Sequence, residues 1–143
     1  MSVEIRPARP GDLDAAREIL ASAGLPVADL FAEHLAFVAE NDSRFAGVIG
    51  LESFGAIGLL RSLVVSADAR AGGLGRRLVA ELEVSSREQG MEALWLLTID
   101  ADPFFQRLGY VVMDRADAPL AIRTTAEFSG LCPGDAVLMS KVL

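Results

Sequence analysis

Residues 59–79 constrain the fold of this chain more than any other stretch. They read L-L-R-S-L-V-V-S-A-D-A-R-A-G-G-L-G-R-R-L-V: an apolar run, a short polar turn and a glycine cluster at Gly72, Gly73 and Gly75. Leu74, Leu78 and Val79, with Leu82 beyond, then fall at helical spacing. This predicts a strand, a turn and a helix that opens on bare backbone. Glycines admit a ligand without a β-carbon in its way. The first free N–H groups of a helix, at its positive dipole end, attract an anion. A phosphate or pyrophosphate is the expected guest, with a purely structural glycine turn as the alternative.

The two common nucleotide motifs do not fit this turn. The spacing G-x-x-x-x-G-K-[ST] fails because Arg76 follows Gly75, and G-x-G-x-x-G fails at Leu78. What remains is R-x-x-G-x-G, formed by Arg70, Gly73 and Gly75, which resembles the acetyl-CoA pyrophosphate loop of the GNAT N-acetyltransferase superfamily. Arg70, Arg76 and Arg77 gather at this turn although 13 basic and 20 acidic residues give the chain a net charge of −7. Cations near a helix N-terminus are unfavourable unless an anion joins them, which argues for ligand contact. The overall acidity disfavours a nucleic-acid surface.

At 143 residues, 52% of them hydrophobic and 23% charged, residues 1–143 are expected to form a single globular domain with a core of its own. No apolar run approaches the ~20 residues that span a bilayer, and M-S-V-E-I-R-P does not read as a signal peptide. The expectation is a cytoplasmic protein with no membrane partner. One cysteine, Cys132, and one histidine, His34, leave no basis for an intramolecular disulfide or a metal site. Cys132, before Pro133, reads as a packed thiol, and His34 as a helix-end residue.

Taken in order, Val3 to Ala8 alternates as an edge strand does, and Pro10-Gly11-Asp12 turns it. A helix is expected from about Leu13 to Ala23, capped by Asp12 or the preceding turn, and a shorter one over Ala28 to His34. Leu35 to Glu40 and Arg44 to Glu52 read as an antiparallel hairpin about Asn41-Asp42-Ser43. In the strand Ile57 to Val65, alternation places Ile57, Leu59, Leu63 and Val65 on one face with Arg61. Leu60 and Val64 share the other face with Ser62. An arginine in such a central strand must be paired, for which Glu52 is the natural partner, or must face a wet cleft where it could hold a substrate carboxylate. The helix from about Gly73 to Gln89 leads to a strand over Ala93 to Ile99, parallel to the first. A short helix over Ala101 to Leu108, a strand over Tyr110 to Met113, a long irregular segment with a short helix near Arg123 to Phe128, and a strand over Ala136 to Leu143 complete the chain.

This order resembles GNAT topology throughout. The resemblance implies an α/β (α+β) fold, a mixed sheet of about six or seven strands flanked by about four helices. It also implies acetyl-CoA as co-substrate, held by the backbone of Leu63, Val64 and Val65 and by the loop Arg70, Ala71, Gly72, Gly73, Leu74, Gly75 and Arg76. A second family signature, N-x-x-A-x-x-F-Y-x-x-x-G-F, is matched by Thr98, Ala101, Phe104, Phe105, Gly109 and Tyr110. Thr98 replaces the asparagine, and Phe105, which still lines the cofactor site, replaces the tyrosine that protonates the CoA thiolate in many relatives. Phe105 has no acidic proton, so that step passes to another group or to water. Tyr110 keeps a packing role.

Several segments, among them W-L-L-T-I-D-A-D-P-F-F-Q-R-L-G-Y and P-L-A-I-R-T-T-A-E-F-S-G, are similar to arsenic-resistance N-acetyltransferases and to the acetyltransferase domain of N-acetylglutamate synthases. They imply a small anionic amino acid or glutamate-like toxin as acceptor, with Arg61, Arg123 and Thr125 as substrate-binding candidates. Glu52, through water and the hydroxyls of Ser62 or Thr98, is the candidate route for the amine proton; the alternative for Glu52 is a purely structural bridge to Arg61. Two other functions stay open: acetylation of a protein or peptide amine, and binding of acyl-CoA without catalysis. If the protein assembles, a homodimer is the expected form.

Overall fold

The computed structural model describes residues 3–143 except Pro26, Asp29, residues 68–71, Glu127 and residues 129–135. Among the described residues, seven strands form one mixed sheet: β1 (Val3–Pro7), β2 (Leu35–Asn41), β3 (Arg44–Phe54), β4 (Ile57–Val65), β5 (Ala93–Thr98), β6 (Val111–Met113) and β7 (Val137–Val142). Their order is β1-β2-β3-β4-β5-β7-β6, with β1 at an edge and β4 at the centre. The α-helices are α1 (Leu13–Ser22), α2 (Leu74–Glu88), α3 (Asp102–Arg107) and α4 (Leu120–Arg123).

Local chemistry accounts for most of these elements. Asp42 and Ser43 both take positive φ (51° and 67°), giving the two-residue turn that suits the twist of the β2–β3 hairpin. Helix α2 buries Leu74, Leu78, Val79 and Leu82 against the sheet, where they join Leu60, Leu94 and Leu96 in the main core. Val64 on the opposite face packs with Ala16 and Leu20 of α1, and Leu59 packs with Ile122 of α4. One sheet face therefore carries α2 and α3, and the other α1 and α4.

Two expectations need correction. The helix over Ala28 to His34 is reduced to a 3-10 turn at Ala32–His34. Leu30 just before it is fully buried, and its carbonyl accepts a hydrogen bond from Arg17 Nη2 at 2.8 Å, which uses an acceptor that a helix would need. Asp12 does not cap α1 with its side chain. Its carboxylate instead receives both Arg6 Nη atoms at 2.9 Å and the Arg9 N–H at 2.7 Å, and the Arg6 fork holds its pKa below the usual value. In the long segment a short helix forms at Leu120–Arg123 after Pro119, and within the expected span Ala126 and Phe128 are helical as well, with Glu127 outside the described residues.

The third correction bears on the site. Strict alternation along β4 fails at Ser62, whose φ is +60° and which coincides with a register shift between Val48 and Gly50 on β3. A bulge of this kind moves every residue after it to the other face. Leu63 and Val65 consequently pack with Leu60 on the α2 side, while Val64 packs with α1.

Candidate active site

Strands β4 and β5 run parallel but stay paired only over Ile57↔Ala93, Gly58↔Leu94 and Leu59↔Trp95. Beyond Leu59, among the described residues, no strand stands opposite the β5 side of β4. A cavity of about 530 Å³ fills this opening. Its walls come from Leu60–Val64, from Leu96–Ala101, from Phe104 and Phe105 of α3 on one face and from Ala23–Leu25 at the end of α1 on the other. The gap thus opens to both faces of the sheet, which lets two ligands approach one point from opposite sides.

Arg61 lines this gap with a side chain that is 0% exposed. Its Nη1 donates to Glu52 Oε2 at 3.0 Å, and its Nε donates to Ser62 Oγ at 3.1 Å. The bulge makes the second bond: it turns two consecutive polar side chains toward each other instead of to opposite faces. Ser62 therefore sits with Arg61, not with Leu60 as alternation predicts. The non-glycine left-handed conformation at Ser62 costs roughly 1–2 kcal/mol, and such strain is retained where the surrounding structure over-determines it.

Glu52 does not line the gap. Its carboxylate faces a second, shallower cavity of about 260 Å³ on the α4 side, shared with Glu33, His34, Thr124 and Thr125. Of the three candidates for proton transfer, Ser62 and Thr98 reach the gap and Glu52 reaches it only through Arg61. The Thr98 hydroxyl accepts the Ala101 N–H at 3.1 Å and so shapes the entry to α3. Thr125 is buried, donating to the Ile122 carbonyl at 2.7 Å and accepting the Phe128 N–H at 3.3 Å. Arg123 lines neither cavity: its guanidinium donates to the carbonyls of Ala116 and Ala118 and so latches its own segment. These local carbonyls engage its Nε and Nη2.

At the glycine turn, Gly73 has φ +72° and leads directly into α2, whose first turn contains Arg76 and Arg77 but no acid. A β-carbon at Gly72 or Gly73 would meet nothing within 4 Å, so the backbone there is open. Gly75 differs, since its β-carbon would lie 3.4 Å from Phe104 Cζ; this glycine admits an aromatic wall. Arg76 is exposed, whereas Arg77 turns away and donates to the Val3 carbonyl at 3.3 Å. Arg70, Ala71 and Cys132 lie outside the described residues.

Phe105 is buried in the gap wall, edge-on to Phe104 (5.0 Å between centroids) and to Tyr110 (5.5 Å). Tyr110 donates its hydroxyl to Glu83 Oε2 at 2.9 Å, and Lys141 Nζ bonds both Glu83 oxygens at 3.1 Å and the Leu108 carbonyl at 2.8 Å. Burial, then the Glu83 carboxylate, pushes the Tyr110 pKa well above its ordinary value. This places Tyr110 in a packing role. Glycine Gly50 escapes sequence reasoning altogether. It pairs with Arg61 in the ladder, and a β-carbon there would collide with the His34 carbonyl oxygen at 2.7 Å.

Residues 32–112, more than half of the chain, match the Acetyltransferase (GNAT) domain family. The chain belongs to the GNAT acetyltransferases. Its two geometric features at this site are the parting of β4 from β5 and the open backbone of Gly72 and Gly73. No curated protein matches the sequence significantly. Among solved structures, this GNAT domain is similar to N-acetylglutamate synthase from Neisseria gonorrhoeae complexed with coenzyme A and N-acetyl-glutamate (22% identity, TM-score 0.85), covering 100% of this chain and 35% of that one. The domain thus spans about a third of the synthase's length. It is also similar to Rv2747 from Mycobacterium tuberculosis in complex with CoA (19%, TM-score 0.81, 98% and 99% covered). A third is the ribosomal-protein-S18-alanine N-acetyltransferase from Escherichia coli (18%, TM-score 0.69, 99% and 94% covered). At these identities the likeness concerns the fold. Among the described residues no cluster of His, Cys, Asp and Glu is placed to hold a metal ion, and no helix is long and apolar enough to cross a membrane.

Proposed function

We propose that this GNAT domain acetylates the amino group of a small anionic amino acid, glutamate or a phosphinic or arsinic analogue of it. The observation that carries this reading is Arg61, a fully buried guanidinium in the wall of the gap of an otherwise acidic chain. Burying a cation is costly, and a site that keeps one beside its reaction centre has a use for it. The synthase complex with N-acetyl-glutamate supports the same acceptor class by analogy of fold.

In this reading the pantetheine lies along β4 at Leu63 to Val65, on the side facing the gap, and Phe104 and Phe105 wall the thioester. The pyrophosphate sits on the open backbone of Gly72 to Arg76, completed by Arg70 and Ala71. The acceptor enters from the α1–α4 face with its carboxylate on Arg61. Its neutral amine attacks the thioester carbonyl, and a main-chain N–H of the Ser62–Val65 segment stabilises the developing oxyanion. The N–C bond forms, the C–S bond breaks, and water carries the proton the amine loses to the thiolate, the transfer that Phe105 cannot make. Holding two substrates in contact contributes much of the acceleration.

Thiol release from acetyl-CoA, measured with a panel of amino acids, phosphinothricin-like compounds and peptides, tests this. Turnover with anionic amino acids is expected. Turnover with peptides alone would replace this reading with protein acetylation, and CoA binding without any turnover would replace it with a binding role.

A further inference from the structure

Ser62 lines the gap, is only 8% exposed, and accepts the Arg61 Nε–H on its Oγ at 3.1 Å. A guanidinium donates and never accepts, so this contact leaves the serine's own proton unclaimed. Among the described residues no acceptor takes it. A buried hydroxyl proton without a partner is costly, which points to an acceptor that arrives with the ligand or as water. The backbone strain at Ser62, with φ +60°, is retained at the same residue. A hydroxyl that accepts from a cation is also a stronger donor, since hydrogen bonds in a chain polarise one another. Thr98, the other hydroxyl in the wall, accepts a neutral amide N–H and is half-buried.

We infer that the Ser62 hydroxyl is a catalytic donor to the leaving sulfur of CoA. In the proposed reading, on which this rests, the acceptor carboxylate is on Arg61 and the pantetheine at Leu63 to Val65, and Ser62 is the residue between them. The amine nitrogen bonds to the thioester carbon, and the C–S bond breaks with its electron pair going to sulfur. The Ser62 O–H hydrogen-bonds the thiolate as it forms and keeps its own proton. The amine's proton reaches the sulfur through water, and CoA leaves as the thiol. A thioester sulfur is uncharged and accepts weakly, so this bond strengthens as the C–S bond cleaves, which is what acceleration requires. Ser62 thereby eases departure of the sulfur in a wall where Phe105 has no proton to offer.

The test uses the full chain with CoA and no acceptor, and follows the ultraviolet difference absorbance of the bound thiolate against pH. The charged side chains lining the gap, Arg61 and Asp100, are kept throughout. In the native protein the bound thiol should ionise at lower pH than free CoA. Ser62→Gly removes the hydroxyl and relieves the positive φ; it should raise the midpoint of the bound thiol by about one pH unit, a tenfold gain in proton affinity. Ser62→Ala, which keeps the β-carbon but no hydroxyl, should titrate like Ser62→Gly. Both variants should lower kcat about 10–100-fold with a nearly native KM for acetyl-CoA. A native bound thiol that titrates like free CoA, a thiol that titrates alike in native and variant proteins, or a native kcat in Ser62→Gly would each overturn the inference. The titration difference, found without turnover of any anionic amino acid, would remove the acceptor class and leave Ser62 as the thiol's donor. The native titration needs no variant, so poor folding of Ser62→Gly does not shelter the idea.

Discussion

Gly50 and Arg61 face each other across the β3–β4 ladder, and a β-carbon on Gly50 would lie 3.3 Å from Arg61 Cγ and 2.7 Å from the His34 carbonyl oxygen. The absence of a side chain at residue 50 is what lets the Arg61 stem lie over β3 and reach Glu52. Gly50→Ala should therefore overpack the sheet and cost about 1–3 kcal/mol, with a rise in acceptor KM as Arg61 shifts. Denaturant unfolding and acceptor titrations check this. Unchanged stability and KM together would mean that the β2–β3 segment relaxes freely.

Arg61→Ala should raise the KM for the acceptor by about 10–100-fold, the equivalent of one charge-assisted hydrogen bond, and leave the KM for acetyl-CoA nearly unchanged. Steady-state kinetics with each substrate varied in turn separates the two. It should also cost about 3 kcal/mol in stability, because Glu52 keeps a half-buried charge without its partner. Equal effects on both Michaelis constants would return Arg61 to a structural role.

At the turn, Gly73 and Gly72 make a matched pair. Gly73→Ala forces a β-carbon into φ +72° and should cost roughly 1–2 kcal/mol, with a higher KM for acetyl-CoA as the start of α2 shifts. Gly72→Ala, at a position without positive φ and with open space around it, should stay within about 0.5 kcal/mol of the native protein. Thermal unfolding of the two variants makes the comparison.

Tyr110 is the chain's one tyrosine, so its ionisation can be followed without ambiguity. The folded state holds its phenol protonated, by burial and by Glu83, while an unfolded tyrosine ionises near pH ~10. Below that pH both states carry the proton and stability is unaffected. Above it the unfolded state binds fewer protons than the native one, so stability falls as pH rises. The phenolate absorbance should stay absent until unfolding, then appear together with loss of the native Trp95 fluorescence. A smooth titration near pH ~10 in the folded protein would contradict the Glu83 contact.

The element order of this domain was legible in its sequence because its signals are local. Apolar periodicity, Asn41-Asp42-Ser43, the glycine cluster and the L-V-V run each act within a few residues. The R-x-x-G-x-G pattern, equally local, pointed to the family the chain belongs to. Asp12 shows where local reading stops: as a capping residue it is plausible, but Arg6 and the Arg9 amide, brought to it by the fold, take its oxygens. Arg123 is held in the same way by the carbonyls of Ala116 and Ala118.

What the sequence by itself determined is the strand-turn-helix of residues 59–79, the family it points to and the presence of an arginine in the central strand. The tertiary structure decided how that arginine is used. The parting of β4 from β5 after Leu59 and Trp95 and the bulge at Ser62 depend on how whole strands pair, which no local pattern encodes. The bulge turns Ser62 to Arg61. The glycine at residue 50 lets Arg61 reach across β3, and the partner it finds there, Glu52, opens onto a different cavity. A buried charge takes its meaning from groups distant in sequence, because only the folded chain sets which counterion it meets and how much water remains.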